Sequence, residues 1–146
     1  MPGIRRMDHV GITVAYLDAA VGFFTRLGLE VEGRMPLQGE FVDTVTGIPG
    51  SRTEIAMLRA PDGGASVELS TFHHPDVIPG PTTTMANDLG LRNVAFQVDG
   101  LHSMVETLSD DGYGLVGGIG EYEGVWLMAY VRGPEGIIVA LAERLD

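Results

Sequence analysis

The chain states one pattern twice, and that duplication limits what it can fold into more than any other feature. Residues 8–28 (DHVGITVAYLDAAVGFFTRLG) align without a gap on residues 92–112 (RNVAFQVDGLHSMVETLSDDG). Val10, Val14, Leu17, Val21 and Gly28 meet the identical Val94, Val98, Leu101, Val105 and Gly112. The ends of the two copies also agree: LRAPDGGASVEL (58–69) matches VRGPEGIIVAL (131–141), with one extra residue in the first. A repeat of this size means a duplicated supersecondary unit, so the fold must satisfy the same local instructions twice.

Those instructions read as strand, helix and further strands. In His9-Val10-Gly11-Ile12-Thr13-Val14, the apolar Val10, Ile12 and Val14 alternate with His9, Gly11 and Thr13, the period-2 signature of a strand with one apolar face. Leu17, Ala20, Val21 and Phe24 then recur at helical spacing, with Asp18 as the expected N-cap and Gly28 as the stop. The second copy repeats this with Leu101, Met104, Val105 and Leu108, ending at Gly112. Strands are predicted near 29–33, 53–59 and 65–71, and again near 113–117, 125–132 and 137–143. Tight turns at Pro61-Asp62-Gly63-Gly64 and Pro134-Glu135-Gly136 join the last two of each set. The expected architecture is α+β, two tandem βαβββ modules spanning 6–72 and 89–145 of a single 1–146 domain, with 73–88 as a Pro- and Thr-rich linker. Residues 34–52, rich in Gly and Pro, are expected as a long loop with a much shorter counterpart at 118–124, and long loops in compact domains are often binding elements.

Charge and composition exclude several functions. A net charge of −11 repels phosphate backbones and offers no basic stripe, so nucleic acid is not an expected partner. With no cysteine in the chain there are no disulfides and no thiolate zinc sites. Nothing in the first 20 residues has the apolar run of a signal peptide, and no segment has the length and apolarity of a membrane span. A cytoplasmic protein without membrane association is the resulting expectation.

A duplicated βαβββ unit that opens on D-H-V-G-I-T-V and closes on a P-[DE]-G turn before its last strand resembles the vicinal oxygen chelate superfamily, the glyoxalase, bleomycin-resistance and dioxygenase group. The resemblance runs from about residue 6 to residue 144. It implies a glyoxalase-like fold whose modules form a cupped sheet, with any metal inside. Glyoxalase- and epimerase-like members take one ligand from the first strand and one from the last strand of each module. Carried over, those positions are His9 and Glu68 in the first module, Asn93 and Ala140 in the second. The implied metal set is therefore His9, Glu68 and Asn93, for a divalent ion such as Ni, Mn, Co, Zn or Fe, with Ala140 supplying nothing.

Strand parity tests the assignment of Ala140. Gly64 to Glu68 and Gly136 to Ala140 are both steps of four, whereas Glu143 lies an odd step of three beyond Ala140 and should face the other side of the sheet. Gln97 shares a face with Asn93, and Thr13 with His9. Trp126, Met128 and Tyr130 share another strand face, opposite Leu127, Ala129 and Val131, and Met57 is the repeat equivalent of Tyr130. Apolar walls carrying a few polar groups suit a small-molecule pocket, so Trp126, Met128, Tyr130, Met57 and Gln97 are the expected substrate-binding residues. His73 and His74 are expected in the linker, His102 at a solvated helix end, and Arg59 and Arg132 as anchors of their turns.

Two functions follow from the resemblance. One is a metal-assisted lyase or isomerase that removes a proton next to a carbonyl, with Glu68 as the base. The other is a metal-free protein that sequesters a small molecule, as the drug-binding members do. A homodimer and a small-molecule ligand are the partners expected in either case.

Overall fold

The computed structural model describes residues 2–146, which divide into two compact units at Pro79/Gly80. In the first unit β1 (His9–Thr13) leads to α1 (Leu17–Leu27), β2 (Glu30–Gln38), α2 (Glu40–Thr46), β3 (Arg52–Arg59) and β4 (Ser66–His74). The second contains β5 (Asn93–Gln97), α3 (Leu101–Asp110), β6 (Gly120–Tyr122), β7 (Trp126–Arg132) and β8 (Ile138–Arg144). The sheets have the same topology, β1-β4-β3-β2 and β5-β8-β7-β6. In each, the first strand lies parallel to the last and the remaining pairs are antiparallel. Each unit is thus the βαβββ element that the repeat predicts.

Alternation along the strands decides which face takes the helix. Cross-strand partners in the first sheet place Val10, Ile12, Val67, Leu69, Ala56 and Leu58 on one side. Of these Val67, Leu69, Ala56 and Leu58 are buried, together with Leu17, Ala20, Phe23 and Phe24 of α1. The Phe23 and Phe24 rings meet edge to face at 5.2 Å, a geometry that adds about 1 kcal/mol to the burial of their area. The helix stops where Gly28 turns left-handed, at φ 112°, and its N–H returns to the Thr25 carbonyl. In the second unit Leu101 and Leu108 are the buried residues of α3, and Gly112 makes the same turn at φ 94°.

The last strand is tied to the start of the helix in both units. Val14 N–H donates to Ser70 O and Val98 N–H to Ala142 O, each at 2.8 Å. The Thr71 hydroxyl donates to Ala15 O, and Glu143, its repeat equivalent, accepts from Gly100 N–H and Leu101 N–H.

Several local expectations are corrected. Arg34–Gln38 continues β2 instead of opening a loop, pairing residue by residue with Arg52–Ala56. Pro36 is tolerated because β2 is an edge strand, where a missing N–H breaks no ladder bond on the open side. The rest of the predicted loop holds α2, and the Asp43 carboxylate fastens it by accepting from Gly50 N–H, Ser51 N–H and the Ser51 hydroxyl. Asp18 does not cap α1: Tyr16 occupies that position, and Asp18 pairs with Arg34 at 2.6 Å. The strand expected at 113–117 shrinks to one bridge, Leu115 to Val131, because Gly114, Gly117 and Gly118 leave it few side chains to pack, and the paired strand begins instead at Gly120. His73 and His74 are the last residues of β4, not of the linker.

Arg59 and Arg132 do anchor their turns, donating to Gly63 O at 3.1 Å and Gly136 O at 3.2 Å. Arg132 also donates to Thr84 O at 2.7 Å, drawing the segment after Gly80 onto the turn. That approach is tight enough that a Cβ on Gly136, which sits at φ 84°, would lie 2.5 Å from Thr82 O. Gly136→Ala should therefore destabilise the protein by about 2 kcal/mol or more, combining left-handed strain with a backbone clash. A urea melt would show this as a lower midpoint at unchanged slope, whereas Gly124→Ala, also left-handed but meeting nothing within 4 Å, should cost less.

Candidate functional site

The parallel pairing of β1 with β4 sets Gly11 opposite Glu68 and His9 opposite Ser66, so His9 and Glu68 project from the same face, the one away from α1. His9 Nε2 and Glu68 Oε2 are 3.4 Å apart, with the histidine side chain 37% and the glutamate 28% exposed. The other ring nitrogen, Nδ1, lies 2.8 Å from Asp8 Oδ2. The hydrogen bond to His9 holds the Asp8 carboxyl below its ordinary value of 3.8, against an opposing effect of desolvation. Met57, opposite Glu68 on β3, and Ile55, opposite Ser70, form the apolar border of this face.

The second unit repeats the backbone and changes the chemistry. Asn93 pairs with Ile138 and Ala95 with Ala140, the register of the first unit residue for residue, so Ala140 occupies the place of Glu68. Tyr130 lies opposite Ala140 as Met57 lies opposite Glu68. The Asn93 amide nitrogen is 3.5 Å from the Tyr130 hydroxyl, and Ala140 is buried. Trp126, Met128 and Tyr130 share this face, as alternation requires, and Gln97 is exposed at the end of β5 on the same side as Asn93. The Arg144 guanidinium lies 5.5 Å from the centroid of the Trp126 ring, within cation–π range.

Glu143 points to the helix side, as parity predicts. Its carboxylate accepts from the first N–H groups of α3 at 2.8 and 3.0 Å, and His102 in the first turn adds a favourable charge. Sequence reading missed this role, although a glutamate an odd step beyond the ligand position and level with a glycine-led helix start is the signal for it. A second missed grouping runs along the helix side of the first unit. Arg34 bridges Asp18 and Glu54 at 2.6 and 2.7 Å, and His73 Nε2 lies 3.7 Å from Glu54.

The donor chemistry decides what this can hold. An imidazole nitrogen and a carboxylate oxygen 3.4 Å apart are farther apart than a good hydrogen bond and close to the separation of adjacent ligands on one first-row cation, about 3.0–3.4 Å for bonds near 2.1 Å. The first unit therefore fits two positions of a divalent site, with water or substrate oxygens for the remainder. Among the described residues no group of three or more His, Cys, Asp or Glu converges to hold a metal ion.

A duplicated βαβββ fold with a histidine–glutamate pair on the first and last strands defines a class, and comparison with known proteins agrees with it. The chain belongs to the Glyoxalase/Bleomycin resistance protein/Dioxygenase superfamily, whose model matches residues 8–130. It is similar to the crystal structure of a glyoxalase family protein from Bacillus cereus, at 41% identity and TM-score 0.96, over 99% of this chain and 97% of that one. More distant similarity extends to the trypanothione-dependent glyoxalase I of Leishmania major, at 20% identity and TM-score 0.66, over 96% and 87%. A glyoxalase/bleomycin-resistance/dioxygenase domain from Frankia sp. is similar at 20% identity and TM-score 0.63, over 99% and 98%. These two show the fold. No curated protein matches the sequence. Among the described residues no helix is long and apolar enough to cross a membrane.

Glu143 yields a pH test. Hydrogen bonds from Gly100 and Leu101 depress its carboxyl below the ordinary 4.5, so its contribution is complete above that value and is lost as pH falls through the depressed folded-state value. Urea melts should show the natural protein more stable than Glu143→Gln at neutral pH, with the gap closing as pH falls below 4.5 and through the depressed folded-state value. A gap that stays constant with pH would mean that the carboxylate charge does not matter there.

Proposed function

We propose that the protein is a glyoxalase-like enzyme acting next to a carbonyl in a small organic molecule, with a divalent cation held at His9 and Glu68. The observation that carries this reading is the 3.4 Å spacing of His9 Nε2 and Glu68 Oε2 on the face turned away from the helix. When bound there, the cation would polarise a carbonyl oxygen and ease removal of the neighbouring proton. Glu68 is the carboxylate of this face that would take that proton, and His9 would hold the cation through a ring nitrogen. With one such carboxylate, the chemistry supported is proton removal on one side of the carbon and its delivery on that same side to a neighbouring atom, as in a lyase or isomerase, whereas inversion at a single carbon would need a second proton donor on the opposite face. Superfamily members commonly bind small molecules and are often dimers, and a homodimer is proposed here as well.

A second reading, metal-free sequestration of a planar or amphipathic compound, is supported by the Trp126–Met128–Tyr130 face. Trp126 already carries the Arg144 cation near its ring, which suits an aromatic ligand with anionic character.

One experiment separates the two. Protein purified without chelator or affinity-tag metal should melt at a higher temperature with added Ni²⁺, Mn²⁺, Co²⁺ or Zn²⁺, gaining about 2.7 kcal/mol when the free ion is 100 times its dissociation constant. His9→Ala and Glu68→Ala should each abolish that rise while leaving the metal-free melting temperature close to its original value. If no cation raises it, the metal reading fails, and loss of small-molecule affinity in Trp126→Ala becomes the expected result.

A further inference from the structure

Asp8 is not among the positions implied by the superfamily's ligand pattern, yet it makes the shortest contact to His9. Its Oδ2 lies 2.8 Å from Nδ1, on the far side of the ring from Glu68. An ionised carboxylate has acceptors and no hydrogen to give, so the proton in that bond belongs to Nδ1. In a neutral imidazole the other nitrogen then carries the lone pair, and that nitrogen is the one 3.4 Å from Glu68 Oε2. The backbone around Asp8 is itself fastened, since Ser66 N–H donates to the Asp8 carbonyl at 3.0 Å.

The internal repeat supplies a control within the molecule. At the positions of Asp8 and His9 the second copy has Arg92 and Asn93, so the carboxylate and the imidazole are replaced together. An arginine cannot accept a hydrogen bond, and an amide needs no choice of tautomer. The Asn93 side chain turns to the Tyr130 hydroxyl instead.

We infer that Asp8 is a positioning residue, which fixes His9 in the Nδ1–H tautomer and so presents the Nε2 lone pair beside Glu68 for a divalent cation. Free neutral imidazole side chains favour the opposite tautomer, with the proton on Nε2, so Asp8 reverses an intrinsic preference. A carboxylate behind a metal-bound histidine both orients the ring and raises its basicity. Asp8 acts through His9 and touches no substrate. The metal part of the inference rests on the function proposed above; the tautomer part does not.

The test therefore has two arms. Nitrogen-15 spectra of the metal-free protein, at a pH where histidine is neutral, report directly which ring nitrogen carries hydrogen, with His9→Gln identifying the His9 signals. The natural protein should show Nδ1 protonated and Nε2 bare, and Asp8→Ala should revert towards Nε2–H while its backbone amide spectrum stays that of the folded chain. Calorimetric titration with Zn²⁺ or Ni²⁺ alone should then show affinity about 10- to 100-fold weaker in Asp8→Ala. Asp8→Asn, which keeps a neutral oxygen acceptor, should fall between. The inference is overturned if the natural protein carries its proton on Nε2, if both nitrogens remain protonated, if Asp8→Ala leaves the tautomer unchanged, or if it changes the tautomer without weakening metal that the natural protein binds. A tautomer that follows Asp8 in a protein binding neither ion would uphold the positioning role and remove the metal reading instead.

Discussion

The structure depends on the parallel pairing of the first strand of each unit with its last. Parallel neighbours cannot be joined by a tight turn, so the chain between them must cross over, and here it does so through a helix and two antiparallel strands, with the short α2 added between those strands in the first unit. The crossover puts the helix on one face and leaves the other for side chains from both ends of the unit. It also brings residues far apart in sequence, such as His9 and Glu68, onto neighbouring strands. Everything chemical in the first unit follows from that adjacency and its register, because a shift of one residue would turn Glu68 to the helix side.

The same backbone register in two units carries opposite chemistry. In the first, an imidazole stands between two carboxylates, with Met57 and Ile55 as the apolar margin. In the second, an amide faces a phenol over a buried alanine, next to a tryptophan that has an arginine against its ring. Hydrogen bonds that hold strand to helix, the left-handed glycine stops and the arginine anchors of the turns are common to both. The framework thus tolerates replacement of its polar face because the helix-side core and the ladder supply its stability, while groups on the other face remain free to differ.

Position along the last strand shows how one rule yields different outcomes. Thr71 and Glu143 are equivalent in the repeat and both reach the start of their helix, one by donating a hydroxyl hydrogen to a carbonyl and the other by accepting from amides. A carboxylate at this place complements the positive end of α3, an advantage in a helix whose N-cap is a glycine with no side chain to offer.

By itself the sequence determined the repeat, the βαβββ order, the helical stops at Gly28 and Gly112, the roles of Arg59 and Arg132, and the face on which Glu143 lies. Each is local or follows from period-2 alternation counted from a glycine turn. Only the tertiary structure decided the rest. Arg34–Gln38 became strand because β3 was there to pair with it and an edge could accept Pro36. His73 and His74 joined β4 because Arg52 extended the ladder to His74, with His73 at the register shift between that pair and Thr53–Phe72. The glycines of 113–118 lost a strand because pairing alone, without side chains to bury, does not repay the entropy of ordering them. Asp8 was visible in the sequence only as the residue before a histidine. Its direction, and therefore the tautomer of His9, depended on how the strand sits beside β4, since a side chain's partner across space is set by register and rotamer and leaves no periodic mark in the chain.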